Sequence, residues 1–496
     1  MAPIVDIHCH AFNADDLPVR GFVHRLHLQN RTLGATLSDL VDRFVQGRAP
    51  GYAADLARLD RLLGPQDELG PLGAAPDGTA HATERFEDEV DQAVAELQGQ
   101  DRDLLLRVGS AIADEEAPAD GAPPPEGVVD LVRNARRAVR WVKLFGRSRL
   151  DLIADYVNTF DDEVDLVTPL LVDLGTGLGD AAKTSAREQV VLFEKLSRAS
   201  MLGVLPGGGR AHVHPFVGFD PLRELRSRRS NDIETPLEVV QDAVLRFGFV
   251  GVKVYPPMGW RPSGNQSRRG LSDADAADID RIVDDLAQWC AAEQVPITAH
   301  CANSNHADPA FDGFGGPDDW LPVLRRHPGL SVNLGHFGGA SAREADDGWP
   351  WKIARACHEL PGLYADVGNH RIYDRTLTTS YLAMIERMFA APLTDVMAER
   401  IMYGSDWFMV AIHPEYERFL SVYRDLFGRF GSARTGRFLG GNALSFLGFD
   451  DPSNKNARRL LARYQRFAPD RIPSWLARPH NPTSEPGLPQ RNDHVR

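Results

Sequence analysis

The chain has few cysteines, no long apolar run and no surplus of positive charge. Its four cysteines, Cys9, Cys290, Cys301 and Cys357, stand far apart among 496 residues. None makes the close pairs of a zinc ribbon or a redox motif, and the spacing fits a reducing, cytoplasmic setting. No stretch reaches the roughly 18 consecutive apolar residues of a membrane span. The start, MAPIVDIHCHAF, lacks the basic region and apolar core of an export signal. Lysine and arginine number 55 against 69 aspartate and glutamate, a formal net charge of −14. No global positive field therefore exists to hold nucleic acid or an anionic membrane. What is present, 43% hydrophobic and 25% charged residues, is the balance of a globular chain that buries a sizeable core.

Eight short β-branched runs recur: IVDIH at 4–8, DLVTPLLVDLG at 165–175, AHVHPFVGF at 211–219, FVGVKVY at 249–255, VPITAH at 295–300, LSVNLGHF at 330–337, LYADVG at 363–368 and RIMYGSD at 400–406. They are near-continuous apolar runs with helix-length segments between most of them, the pattern of parallel strands covered on both faces. This predicts an α/β fold, a (β/α)8 TIM-type barrel, with a doubly wound open sheet as the structural alternative. The first two runs lie roughly 150 residues apart where a crossover needs about 30. A large helical insertion after strand 1, residues 22–160, is expected to fill the gap and partly cover the barrel mouth, with mobile Gly/Pro/Asp-rich breaks near 64–80 and 113–127. The domain reading is a barrel over 1–450 with that insertion inside it. A C-terminal helical extension, 451–496, follows, in which NARRLLARYQRF is a surface or dimer-contact helix and the tail from Pro479 is disordered.

Asp6, His8 and His10 alternate along the first run and share one face, and two imidazoles two residues apart can converge on one divalent cation. His10 directly precedes the polar loop AFNADD, which puts the pair at the C-terminal strand end, where barrel enzymes place their chemistry. Asp6 is read as a buried supporting carboxylate. His300 ends VPITAH, His336 comes near the end of LSVNLGHF and Asp406 ends RIMYGSD. Buried imidazoles and carboxylates are costly unless paired or metal-bound, so their common placement at one end points to a divalent metal centre. Zinc is the expected ion, since nitrogen-rich ligands with one carboxylate suit it.

The ordered set His8 and His10 in DIHCH, Lys253 in GVKVYPP, His300 in ITAHC, His336 in NLGHF, Asp406 in YGSDW and the closing segment GGNALSFLG at 440–448 resembles the amidohydrolase superfamily. The likeness is to the branch that also contains aminocarboxymuconate semialdehyde decarboxylase. The resemblance implies a barrel hydrolase or decarboxylase with metal ligands His8, His10, His300 and Asp406. An open-sided divalent ion activates water and polarises a carbonyl, while a nearby carboxylate takes the released proton; Asp406 is the candidate base. His336 either holds the substrate oxygen and exchanges protons or ligates a second metal, and the first role is preferred. Lys253, inward by strand parity, is either a carbamylated bridge between two metals or a free ammonium. The closer branch implies one metal, expected as one Zn2+, and a free amine.

Other signals compete. His212 and His214 form a second His-x-His, but they precede Pro215 at the N-terminal end of their strand and are read as structural. Gly175, Gly177 and Gly179 follow a strand with G-x-G-x-G rather than dinucleotide spacing and are read as a βα turn. LPGGGR at 205–210 leads into a strand and is read as a connecting turn. Cys9 and Cys301 point away from the ligand face by alternation. Arg371 is a candidate clamp for an anionic substrate or a surface residue. The leading expectation is a metal-dependent hydrolase acting on an amide, lactone or ester bond of a small-molecule substrate. The alternative is nonoxidative decarboxylation of a small unsaturated or aromatic carboxylate. Behind these stand a non-catalytic metal-binding scaffold and an NAD-dependent oxidoreductase. No nucleic-acid or membrane partner is expected, and a homo-oligomer is left open.

Overall fold

The computed structural model describes residues 3–26, 31–64, 79–116, 128–160, 162–206, 209–268, 270–303, 306–339, 348–370, 372, 375–390 and 393–476. Among them each of the eight apolar runs contributes strand: β1 (Val5–Cys9), β2 (Leu166–Pro169), β3 (His212–Val213), β4 (Phe216–Phe219), β5 (Gly251–Val254), β6 (Ile297–His300), β7 (Val332–Gly335), β8 (Leu363–Asp366) and β9 (Ile401–Met402). The third run yields two strands because Pro215 has no N–H to give the ladder. All pairing is parallel, in a three-stranded sheet β1-β2-β3 and a six-stranded sheet β4 to β9. The second run is strand only over its first part; beyond Pro169 it runs irregularly to the short helix Gly175–Leu178.

The two sheets touch at both ends. A parallel bridge joins Leu170, just past β2, to Phe216, and another joins Cys9 of β1 to Trp407, just past β9. The amide of Asp406 donates to the carbonyl of His8 at 2.7 Å. The loop carrying Asp406 is thereby tied to the strand carrying both histidines. The strands are buried throughout, as parallel strands covered on both faces must be.

Between β1 and β2 the described residues form seven helices: α1 (Val19–Leu26), α2 (Arg31–Phe44), α3 (Tyr52–Leu63), α4 (Thr79–Gln100), α5 (Arg102–Glu116), α6 (Val128–Leu144) and α7 (Arg149–Thr159). Most of the two expected breaks, at 65–78 and 117–127, lies outside the described residues. The end of α6 packs on the loops that leave β1 and β9: the Phe145 ring lies 5.0 Å from Phe408 and 6.3 Å from Phe12, and the Phe145 carbonyl accepts from Ala14 N at 2.8 Å. A fully buried guanidinium fixes this arrangement. Arg149, at the start of α7, pairs with Asp16 at 2.6 Å and with Asp55 of α3 at 2.8 Å, and also donates to Thr184. A buried charge is tolerable only when so paired.

The helix Lys455–Phe467 lies at the surface, as expected for NARRLLARYQRF, with its apolar face turned onto the chain itself. Its Asn456, Ala457, Leu460 and Tyr464 are buried within the chain. Asn456 Nδ2 donates to the carbonyls of Val250 and Leu447 at 2.9 and 3.0 Å, and Tyr464 reaches β3. The apolar stripe of this basic helix is covered by the N-terminal strand ends rather than offered to a partner. The tail from Pro479 lies outside the described residues. Among the described residues no helix is long and apolar enough to cross a membrane.

Candidate metal centre

The site grows from β1, whose alternation sends Asp6, His8 and His10 to one side. Asp6 sits deepest. Its carboxylate accepts from Ser405 N at 3.0 Å, Ser405 Oγ at 2.5 Å, Tyr156 OH at 2.8 Å and His8 N at 3.1 Å. Burial pushes it up to about 7 even so. It braces β1 against the Ser405–Asp406 loop and does not face the ligand cluster.

His8 Nδ1 lies 2.8 Å from Asp366 Oδ2, and a carboxylate can only accept, so Nδ1 carries the proton and Nε2 the lone pair. Burial lowers the His8 pKa to about 4, with Lys253 and His336 adding to the effect. His8 is therefore neutral near pH 7. His10 Nδ1 donates to the Leu170 carbonyl at 2.9 Å, a tautomer that in the neutral ring leaves the lone pair on Nε2. Both lone pairs face Asp406: His10 Nε2 is 3.2 Å and His8 Nε2 is 3.6 Å from Oδ1. His8 Nε2 and Asp406 Oδ1 have no hydrogen-bond partner although both are buried. Three acceptors within 4.8 Å of one another, all buried, form a set that could hold a metal ion. With no proton between them such atoms repel, and a cation in their midst removes the repulsion, so the donor set fits a divalent metal.

Space for the His8 ring is cut by two glycines. A Cβ at Gly335 would stand 2.9 Å from His8 Cε1, and one at Gly404 would stand 2.7 Å from His8 Cβ. Asp406 (φ 58°) and His336 (φ 63°) both occupy the left-handed region. Non-glycine residues seldom do so without a compensating constraint, and here the geometry turns both side chains at the strand ends.

His300 and His336 adjoin the cluster without joining the three-donor set. His300 Nδ1 is 3.1 Å from His336 Nε2, and its ring stacks on Tyr255 at 4.3 Å. His336 Nδ1 donates to the Gly368 carbonyl at 3.0 Å, so its Nε2 accepts from His300. The His336 ring centroid lies 4.6 Å from that of His8. Lys253, in register with Gly218 and Thr298, is buried with no hydrogen-bond partner on Nζ. Burial lowers it to about 8 against the upward pull of Asp366 and Asp406. All four expected positions at this end are thus present, but only Asp406 shares the ion-sized group with His8 and His10.

Residues 231–449 match the family model described as amidohydrolase. The likeness is to amidohydrolases and covers this segment, less than half of the chain. The match supports the resemblance to amidohydrolase-type enzymes that the ordered motifs carry. It takes in Lys253, His300, His336 and Asp406, whereas His8 and His10 lie outside the matched residues and reach them through the β1–β9 contact. No curated protein matches the chain. Among solved structures, it is similar to an amidohydrolase from Burkholderia multivorans at 16% identity, covering 62% of this chain and 91% of that one, with a TM-score of 0.37. It is also similar to 5-carboxyvanillate decarboxylase from Novosphingobium aromaticivorans (14% identity, 72% and 92% covered, TM-score 0.36). A third is 4-oxalomesaconate hydratase from Rhodopseudomonas palustris (12%, 64% and 85%, TM-score 0.36). Scores this low decide neither fold nor reaction.

The amidohydrolase centre has supports that the sequence reading missed. Asp366, at the end of β8, receives His8 Nδ1, Asn333 Nδ2 at 2.7 Å, His336 N at 3.1 Å and Gly368 N at 2.9 Å. Burial alone would raise its pKa, but these donors and the neighbouring histidines hold it well below the usual carboxylate range. Since His8 is neutral, we attribute this to the donated hydrogen bonds rather than to an imidazolium charge. His370 Nε2 donates to the His336 carbonyl at 2.8 Å and accepts at Nδ1 from Tyr381 OH. Asp366 was findable: it stands near the end of LYADVG and ends β8, a strand-end position like the one that marked Asp406. Arg371, the candidate clamp, lies outside the described residues.

Proposed function

We propose that this amidohydrolase-type enzyme is a metal-dependent hydrolase that opens an amide, lactone or ester bond of a small molecule. The observation that carries the reading is the convergence of His8 Nε2, His10 Nε2 and Asp406 Oδ1, three buried ligand atoms within 4.8 Å of one another. When bound, a divalent ion supplies a Lewis acid that activates water and polarises the carbonyl, and two imidazoles with a carboxylate make one zinc ion the proposed occupant. His300 is the proposed fourth ligand.

In this reading Asp406 accepts the proton that the attacking water gives up. His336 is the proposed group that holds the substrate oxygen and exchanges protons with it, a role that requires its Nε2 to exchange the His300 contact for the substrate. Lys253 stays an uncarbamylated amine and orients a substrate oxygen. Asp366 and His370 act through their neighbours by fixing the tautomers of His8 and the backbone of His336. The wall of the site is proposed to be one (β/α)8 barrel over 1–450, supported by the two bridges between the sheets, with 22–160 inserted at its mouth and 451–496 as an appendix. The setting proposed is cytoplasmic.

A second reading, nonoxidative decarboxylation, is favoured by one observation: the unpartnered Lys253 Nζ is a ready counter-ion for a substrate carboxylate. Product analysis on a panel of small amides, lactones, esters and unsaturated acids separates the two. A new acid with its amine or alcohol supports hydrolysis, and carbon dioxide release overturns it.

A further inference from the structure

A cavity of about 440 Å3, lined by none of the metal-cluster residues, is walled by the helix Pro221–Ser230, the segment that follows β5 and the segment that follows β6. Three guanidiniums line it: Arg226, Arg229 and Arg268. Arg229 is committed, paired with Asp275 and with Asp278. Arg226 and Arg268 have no ion pair or side-chain hydrogen bond with any described residue. In a chain of net charge −14, whose described arginines are mostly matched to carboxylates, two unmatched guanidiniums on one cavity stand out.

The acids nearby do not answer them. Asp308 lines the cavity, but its Oδ1 accepts from Ala310 N at 2.8 Å and caps the turn Pro309–Phe311. Asp275 is held by Arg229. Asp220 is the one carboxylate whose charge Arg268 senses. It is buried, caps the helix Pro221–Ser230 through Leu222 N at 3.0 Å, and is driven toward its neutral form by burial and by the charge of Asp173. Arg268 is itself half-buried, with Nε out of reach of any acceptor and the guanidinium over the Phe311 ring at 5.0 Å. Burial disfavours its charge, so the guanidinium gains from an anion brought to it. Arg226 also lines the neighbouring cavity of about 690 Å3, with Thr176 shared between the two spaces.

We propose that this cavity is a binding site for a small organic dicarboxylate, held by Arg226 and Arg268. Guanidinium forks match carboxylate planes through paired N–H donors, and two of them on one cavity suit a molecule with an acid group at each end. The site does not depend on which reaction the metal cluster performs.

The test is calorimetric titration of the full-length protein with glutarate, its neutral isostere glutaramide, and inorganic phosphate. The wild type is expected to bind glutarate saturably at one site and to ignore glutaramide. Arg226→Gln or Arg268→Gln should weaken glutarate about tenfold each and the pair about a hundredfold, one charge-assisted pair at a time. Where Arg268→Gln does not fold, Arg268→Lys keeps the charge, loses the fork and should weaken binding about threefold. The His8→Ala/His10→Ala variant should bind glutarate as the wild type does. No saturable binding of glutarate by the wild type overturns the proposal. So do equal binding of glutaramide, preference for phosphate with glutarate silent, undiminished affinity in the arginine variants, or loss of binding in the histidine variant, which would put the anion at the metal cluster.

Discussion

The chain carries two His-x-His pairs at opposite ends of its strands, and they end in opposite chemical states. At the base, one hydroxyl serves both rings: Tyr464 OH lies 2.6 Å from His212 Nδ1 and 2.9 Å from His214 Nε2, and Ser197 Oγ lies 3.0 Å from His214 Nδ1. A hydroxyl both donates and accepts, so these polar contacts can be completed within the protein. At the other end His8 and His10 have spent their N–H groups on Asp366 and Leu170, and what faces their remaining lone pairs is Asp406, another acceptor. The same motif is thus a structural clasp where its neighbours are amphoteric and, in the function proposed above, a cation site where they are acceptors only. The decisive information lies in the third group, not in the histidines.

Four substitutions sharpen this contrast, from the largest effect to the smallest. Asp406→Asn is expected to lower kcat by roughly a thousandfold or more, since an amide can ligate weakly but cannot accept a proton. Near wild-type kcat with metal content intact would refute the base role. Asp366→Asn removes the acceptor that fixes the His8 tautomer and should weaken metal affinity by about 10- to 100-fold, read by competition with a chelator. An unchanged affinity would show that the tautomer does not matter. Lys253→Met should leave metal stoichiometry as it is in the wild type while impairing turnover. Two ions per wild-type chain, falling in this variant and recovering with a short carboxylic acid, would reveal a carbamate bridge instead.

The fourth concerns the base and pH. His212 is lowered from its ordinary 6.5 to about 4, first by burial and then by Arg471. The fold therefore prefers its neutral form, so this group adds stability above about pH 6.5 and loses it as pH falls toward 4. The stability advantage of the wild type over His212→Gln should shrink by about 2 kcal/mol between pH 7 and 4.5 in urea unfolding. A constant difference across that range would mean that His212 is not held neutral.

Much of this was legible because strand periodicity and strand ends leave local marks. The eight apolar runs each fold to strand, and the parity of β1 places His8 and His10 together without any structural information. Asp406 was legible for the same reason. Asp366 carried the same mark and was overlooked among apolar neighbours. What could not be read was anything decided between distant segments. Tyr464 meets His214 across 250 residues, Arg149 meets Asp16 across 133, and the partner of His300 is set by a ring 36 residues on. The C-terminal helix shows the cost of that blindness: an amphipathic basic helix reads alike whether its apolar stripe is covered by another subunit or by its own chain.

The central claim, that His8, His10 and Asp406 hold a cation whereas His212 and His214 do not, is tested most directly by metal analysis of the purified full-length protein. Mass spectrometry of the metal content should find about one divalent ion per chain in the wild type, near none in His8→Ala/His10→Ala, and an undiminished content in His212→Ala/His214→Ala. Full metal content in the first double variant, or its loss only in the second, would contradict the account.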